Sequence, residues 1–276
     1  MSETVAAAIR DAAQRLEATS DTARLDAELL MAHVLGTDRS SMLLRSMADP
    51  APGGYTELVE RRAAHEPIAY LTGVQEFYGR DFRVSPDVLI PRGDSETLIE
   101  AALEFAPKAR RVLDLGTGSG ALLITTLLEI EGATGIGIDA SVGALEVARA
   151  NAQTLGLIGA QARFRERDWH KEGWADDLGQ FELIICNPPY VESGAKLDPD
   201  VQEHEPHAAL FAGEEGLDDY RVIIPQLGKL LSPDGVAIFE IGASQGEAVT
   251  SIAREAGFET QLRRDLANRA RALILT

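Results

Sequence analysis

Cysteine is nearly missing from this chain. Cys186 is the only one in 276 residues, so an internal disulfide is excluded. Its place in the apolar run Phe181-Glu182-Leu183-Ile184-Ile185-Cys186 marks it as a small core residue on a buried strand rather than a nucleophile. Long apolar runs are missing too: stretches such as 121–128 fall far short of the roughly 20 residues a membrane-spanning helix needs. No membrane partner is expected. The opening Met1-Ser2-Glu3-Thr4 has no basic region ahead of an apolar one, and the helix behind it is not the arginine-rich, acid-poor kind used for organelle import. The expected location is cytoplasmic. Positive charge is in deficit as well, and a formal net charge of -18 repels polyanions. Direct binding of nucleic acid is therefore not expected, and a basic or neutral protein is the better partner. Lysine occurs only at 108, 171, 196 and 229, a bias toward arginine that implies nothing about mechanism.

Hydrophobic residues make up 45% and charged residues 25%, the balance of a folded globular protein large enough to bury a real core. Residues 1–73 read as a small helical bundle: segments 4–16, 23–35 with Asp21 as the cap and Gly36 as the stop, 41–47, 55–64, and a last turn at 68–71. Residues 74–84 form a linker whose polar and aromatic pattern from Glu76 predicts an extended hairpin. From 85 to 276 apolar strands alternate with helices. Strands are expected at 111–115, 134–138, 162–166, 181–186, 236–241, 259–263 and 271–275, with helices at 122–130, 142–155, 217–231 and 245–256. That alternation predicts an α/β domain with a mainly parallel sheet covered on both faces.

The run Val112-Leu113-Asp114-Leu115-Gly116-Thr117-Gly118-Ser119-Gly120 is a strand entering a glycine-rich turn ahead of a helix, where backbone can approach a ligand closely. Asp139 follows at the end of the second strand, where a carboxylate can accept hydrogen bonds from both ribose hydroxyls. Together they describe an adenosine site. Dinucleotides and S-adenosylmethionine both fit such a site, and glycines at 116, 118 and 120 rather than Gly-x-Gly-x-x-Gly lean toward the second. After the third strand, Trp169 offers a ring to an adenine, or stands as an ordinary rim residue.

The fourth strand ends in Asn187-Pro188-Pro189-Tyr190 at the carboxyl edge of the sheet. An amide nitrogen is a poor nucleophile because its lone pair is delocalised into the carbonyl. An enzyme that methylates one must hold it in line with the donor and accept its hydrogens. Asn187 offers a side-chain carbonyl and Pro188 a backbone carbonyl, while the two prolines bring no competing N–H and stiffen the turn. Tyr190 supplies a face for a flat amide or base. Asn187, Pro188 and Tyr190 are thus the candidate catalytic residues, and Asn187, Pro188, Pro189 and Tyr190 the candidate substrate site.

Here the chain resembles the PrmC/HemK glutamine methyltransferases, which modify the Gly-Gly-Gln motif of class 1 peptide chain release factors. The likeness runs through Gly73-Val74-Gln75-Glu76-Phe77-Tyr78-Gly79, Leu89-Ile90-Pro91-Arg92-Gly93-Asp94-Ser95-Glu96, the glycine turn, the Asn-Pro-Pro-Tyr run, Glu205-Pro206 with Leu210 and Gly213, and Asp265-Leu266 with Arg269. It implies a helical N-terminal domain that helps hold the release factor, a hairpin linker, and a seven-stranded Rossmann-like methyltransferase domain using S-adenosylmethionine. It carries cofactor roles onto Gly116, Thr117, Gly118, Ser119, Gly120, Asp139, Trp169 and Asn187, with class 1 release factors as partners. A monomer is expected. One departure is Gly93, where the family usually has a second proline, in a loop expected beside the cofactor.

No metal is expected: His204 and His207 stand close together, but Pro206 interrupts them and no third ligand has suitable spacing. They are read as lining a surface loop. His33, His65 and His170 read as isolated, and Glu214, Glu215, Asp218 and Asp219 as a solvated acidic face. The nearest rival function is an adenine-amino methyltransferase that grips an exocyclic NH2 on a flipped base in the same way. A non-catalytic nucleotide-binding scaffold is the other, and it leaves Asn187 to Tyr190 unexplained.

Overall fold

Thr4 starts the first helix by accepting the Ala7 N–H, and apolar residues three and four apart bury one face of it. The computed structural model describes residues 3–157 and 159–276. They divide into two compact units, one running through Val74 and taking in Lys196–Glu205, the other made of Gln75–Ala195 and Pro206–Thr276. In the first unit, α1 (Val5–Leu16), α2 (Ala23–Val34), α3 (Arg39–Arg45), α4 (Tyr55–Ala63) and α5 (Ile68–Thr72) pack around Ile9, Leu16, Leu30, Met31 and Met42. Two local expectations shift. Thr22, not Asp21, is the residue before α2, and its hydroxyl donates to Asp26 instead of capping. Asp38 accepts the Ser41 N–H at 2.9 Å and starts α3 earlier than 41. Buried Arg62 joins Asp26 at 2.7 Å to Asp200 at 2.6 Å, so the returning segment is tied in by charge. Nothing in the local pattern of 196–205 announces that return.

Strand β1 (Val74–Phe77), of which the second unit takes Gln75 onward, is followed by β2 (Arg80–Arg83). Tyr78 at φ 52 and Gly79 at φ 71 form the two-residue turn between them, with the left-handed backbone that matches strand twist in tight hairpins. Then follow α6 (Glu96–Phe105), β3 (Arg111–Leu115), α7 (Ala121–Glu129), β4 (Thr134–Asp139), α8 (Val142–Thr154), β5 (Ala162–Glu166) and β6 (Phe181–Cys186). After the first unit's α9 (Pro199–His204) come α10 (Asp218–Ile223), α11 (Leu227–Leu230), β7 (Leu231–Glu240), α12 (Gly246–Glu255), β8 (Thr260–Arg264) and β9 (Ala270–Leu275). The sequence reading does not single out α6 or α9. It also takes 217–231 as one helix, whereas Pro225, which has no N–H to continue the ladder, sits in a 3-10 turn between α10 and α11.

The seven strands lie in the order β5-β4-β3-β6-β7-β9-β8, and only the pairings of β9 are antiparallel. Alternate residues of the strands face two different cores. Val112, Leu183, Ile185 and Ile238 meet Leu98 and Ile99 of α6 and Leu123 of α7, while Leu113, Ile184, Cys186 and Phe239 meet Tyr220, Leu227 and Val249. This is the two-sided burial expected of a parallel sheet. Among the described residues no helix is long and apolar enough to cross a membrane.

Candidate active site

Chain order reverses at β3, which has β4 on one side and β6 on the other, and open α/β sheets bind ligands beyond the carboxyl ends of strands at such a point. The turn after β3 is built for close approach. Gly116, Gly118 and Gly120 take φ of 73, 52 and 81, which a side chain would strain. The N–H groups of Gly116 and Thr117 both donate to the Ile138 carbonyl at 2.9 Å, and the Thr117 hydroxyl donates to Asp114 at 2.6 Å. Burial pushes the Asp114 carboxyl up to about 7, partly offset by the Thr117 hydrogen bond. A Cβ at Gly118 would meet nothing within 4 Å, so open space lies over that peptide. At Gly120 a Cβ would stand 2.7 Å from Ile124 Cδ1, which makes this glycine a packing position at the start of α7.

Asp139, half-buried at the end of β4, accepts the Gly118 N–H on one oxygen and the Ser141 N–H on the other, both at 2.9 Å. Its carboxyl is raised by burial, against the pull of those N–H groups. Lone pairs remain on both oxygens for further donors.

A cavity of about 580 Å³ opens here. Of the residues singled out from sequence, Gly116, Thr117, Gly118, Ser119, Asp139, Trp169, Asn187 and Pro189 line it. Gly120, Pro188 and Tyr190 are not among its walls. Among the described residues the Asn187 side chain makes no hydrogen bond, and none reaches the Pro188 carbonyl. Tyr190 differs from expectation in that its hydroxyl donates to Glu240 at 3.1 Å. Its N–H donates to the Leu210 carbonyl and its own carbonyl accepts the Gln245 amide at 3.0 Å, so the turn is pinned on three sides. Burial raises the Tyr190 phenol, and the Glu240 charge adds to this.

Two family descriptions match the chain, "PrmC N-terminal domain" over residues 7–73 and "Methyltransferase domain" over 107–255. A protein of Bradyrhizobium diazoefficiens named release factor glutamine methyltransferase is 39% identical over 261 residues, covering 91% of this chain and 86% of its own. One of the same name from Koribacter versatilis is 41% identical over 261 residues and covers 91% of each. The chain belongs to the release factor glutamine methyltransferase family. A solved methyltransferase from Pyrococcus furiosus, 16% identical, covers 72% of this chain and 89% of its own with a TM-score of 0.52, a likeness of fold.

Several lining residues lie outside the glycine turn and the Asn187 to Tyr190 run, some of them in two stretches, 73–79 and 89–96, that carry the family likeness. Phe77 comes from the hairpin, Phe211 from the segment after α9, and the 86–92 stretch with Ser95 supplies further lining. Ser95 is buried and donates to Glu240 Oε2 at 2.5 Å, and the other oxygen of Glu240 takes the Tyr190 hydroxyl. Arg271 lies 3.8 Å from the same carboxylate and reaches Asp94 at 2.9 Å, where Arg269 also pairs. Burial raises Glu240 despite the Ser95 bond and the Arg271 charge. Gly93 opens a 3-10 turn in this stretch, and a Cβ on it would touch nothing within 4 Å, so space does not demand glycine there.

The acidic run is not uniformly solvated. Glu214, Glu215 and Asp218 are exposed, but Asp219 shares the inward face of α10 with Tyr220 and Ile223, is 5% exposed, and lines the cavity. His170 is not isolated, lying 3.1 Å from Asp219, and His65 lies 3.2 Å from Asp200. His204 ends α9 with its ring nitrogen 3.2 Å from the Ala64 carbonyl, and His207 packs edge-on against Phe211. Cys186 is fully buried on β6 as expected, its thiol pushed well up by burial.

Proposed function

We propose that this chain transfers the methyl group of S-adenosylmethionine to the side-chain amide nitrogen of the glutamine in the Gly-Gly-Gln motif of class 1 peptide chain release factors, leaving S-adenosylhomocysteine. The observation that carries this reading is that Asn187 lines the same cavity as the Gly118 turn and Asp139, so an amide acceptor stands beside an adenosine cradle. The relatives' shared name supplies the substrate.

The cavity suits the donor on its own chemistry. Asp87, Asp139 and Asp168 line it against Arg92 and His170, a wall that favours a cationic ligand over a polyphosphate. When bound, S-adenosylmethionine supplies an electrophilic methyl on a sulfonium. Asp139 would hold the ribose, the open backbone at Gly118 would admit the ligand closely, and Trp169 would wall the base. Asn187 and Pro188, through their free carbonyls, would accept the two N–H groups of the glutamine amide and turn its nitrogen toward the methyl. Proximity of this kind replaces much of the entropic barrier. Tyr190, held by Glu240, Leu210 and Gln245, would keep that turn from shifting.

An Asp139→Ala protein should bind S-adenosylmethionine on the order of tenfold or more weakly, since hydrogen bonds to a charged acceptor contribute about 1.5 to 3 kcal/mol. Unchanged affinity by calorimetry in the folded variant would take Asp139 out of the site. The function itself is tested by incubating the protein with labelled S-adenosylmethionine and either a release factor or DNA at low salt, where attraction of a nucleic-acid enzyme to phosphate is strongest. Label is expected on the release-factor glutamine. Efficient labelling of DNA with none on the release factor would favour the adenine-amino rival.

A further inference from the structure

Trp169 is held at two ends by groups far from it in sequence. Its indole N–H donates to Asp219 Oδ1 at 2.6 Å, across 50 residues of chain. Its opposite edge lies against the glycine turn, where a Cβ on Gly116 would stand 3.1 Å from Trp169 Cη2. The ring is itself only partly buried and lines the cavity, whereas Asp219 is 5% exposed. A buried carboxylate is costly without partners, and among the described residues the side-chain partners of Asp219 are this indole and the ring nitrogen of His170, both on the same oxygen.

We propose that Asp219 is the positioning residue of the cofactor cavity: its carboxylate locks the Trp169 indole against the glycine turn, so the cavity presents a rigid aromatic wall before any ligand arrives. This rests on the reading that the cavity takes S-adenosylmethionine. An indole free to turn on two side-chain torsions has to be ordered by the ligand, and immobilising one such side chain weakens binding by roughly two- to tenfold. Asp219 removes that cost in advance. Its contribution therefore runs through Trp169 and not through its own charge on the ligand.

That distinction is measurable. Asparagine keeps an oxygen acceptor for the indole and drops the charge, whereas alanine drops both. With S-adenosylhomocysteine as the probe, Asp219→Ala should bind roughly two- to tenfold more weakly and Asp219→Asn within about twofold of the parent. In a Trp169→Phe background, which has no N–H to lock, Asp219→Ala should add no further loss, because groups acting as one unit are not additive. Acrylamide quenching reads the lock without ligand: of the two tryptophans, Trp174 is 4% exposed and shielded, so Asp219→Ala should raise the quenchable fraction through Trp169 alone. The proposal is overturned if Asp219→Asn loses as much affinity as Asp219→Ala, or if the loss persists in the Trp169→Phe background. Unchanged quenching in Asp219→Ala overturns it as well. A parent protein that does not bind S-adenosylhomocysteine at all would sink the cofactor reading, a result distinct from any of these.

Discussion

Replacing Asn187 with alanine should lower methyl transfer to a release factor by roughly a hundredfold at saturating S-adenosylmethionine, the loss expected when a reacting group is misplaced by about 1 Å. Asn187 directly follows β6, and the parallel pairing of Leu115 with Cys186 sets it level with the start of the glycine turn. It lines the cavity, and its side chain, among the described residues, makes no hydrogen bond, so truncation leaves no partner unsatisfied. The thermal midpoint should consequently move little, as for substitutions away from the core, about 0.5 kcal/mol. Since Asn187 is also a candidate cofactor contact, a moderate fall in cofactor affinity accompanies the loss. The measurement is turnover at saturating cofactor with unfolding followed in parallel. Turnover near that of the parent would mean that the amide is gripped elsewhere.

A release factor whose Gly-Gly-Gln glutamine is changed to asparagine should be a poor substrate, again by roughly a hundredfold. Asparagine carries the same NH2 group but is one methylene shorter. The turn at 187–190 cannot move out to meet it, because the Tyr190 N–H is held by Leu210, its carbonyl by Gln245 and its hydroxyl by Glu240. Gly216 packs against the same carbonyl so closely that a Cβ there would overlap it. A site this fixed should discriminate by reach. Single-turnover rates on the two release factors, with bound fractions measured separately, divide reach from affinity. Equal rates once both are bound would show that the turn adapts and that the pinning has no part in selection.

How far the chain could be read depended on how local each signal was. The strands at 111–115, 162–166 and 181–186 have the bounds expected of them, because apolar runs framed by turn residues carry their own boundaries. The glycine turn was legible for a similar reason: left-handed backbone restricts residue type at the position itself. Gly120 shows the limit of that reading, since its glycine serves packing against Ile124 and Ala148 and not the cavity wall. The 217–231 helix failed on a single residue, Pro225, whose missing N–H outweighed the apolar spacing around it.

The sequence by itself determined the α/β class and singled out the Gly116 to Gly120 turn, Asp139 and the run from Asn187 to Tyr190 as the candidate site, because each is written in neighbouring residues whose chemistry is independent of the rest of the chain. Only the tertiary structure decided what holds those groups in place. Asp219 meets Trp169 across 50 residues, and Ser95 meets Glu240 across 145. In sequence Asp219 is one of a run of acids and cannot be told from its exposed neighbours. Folding separates them, because α10 turns Asp219 inward with Tyr220 while Asp218 faces solvent. A carboxylate taken out of water in this way must find donors, and which donors are near is fixed by the order of strands in the sheet, a property no single segment carries.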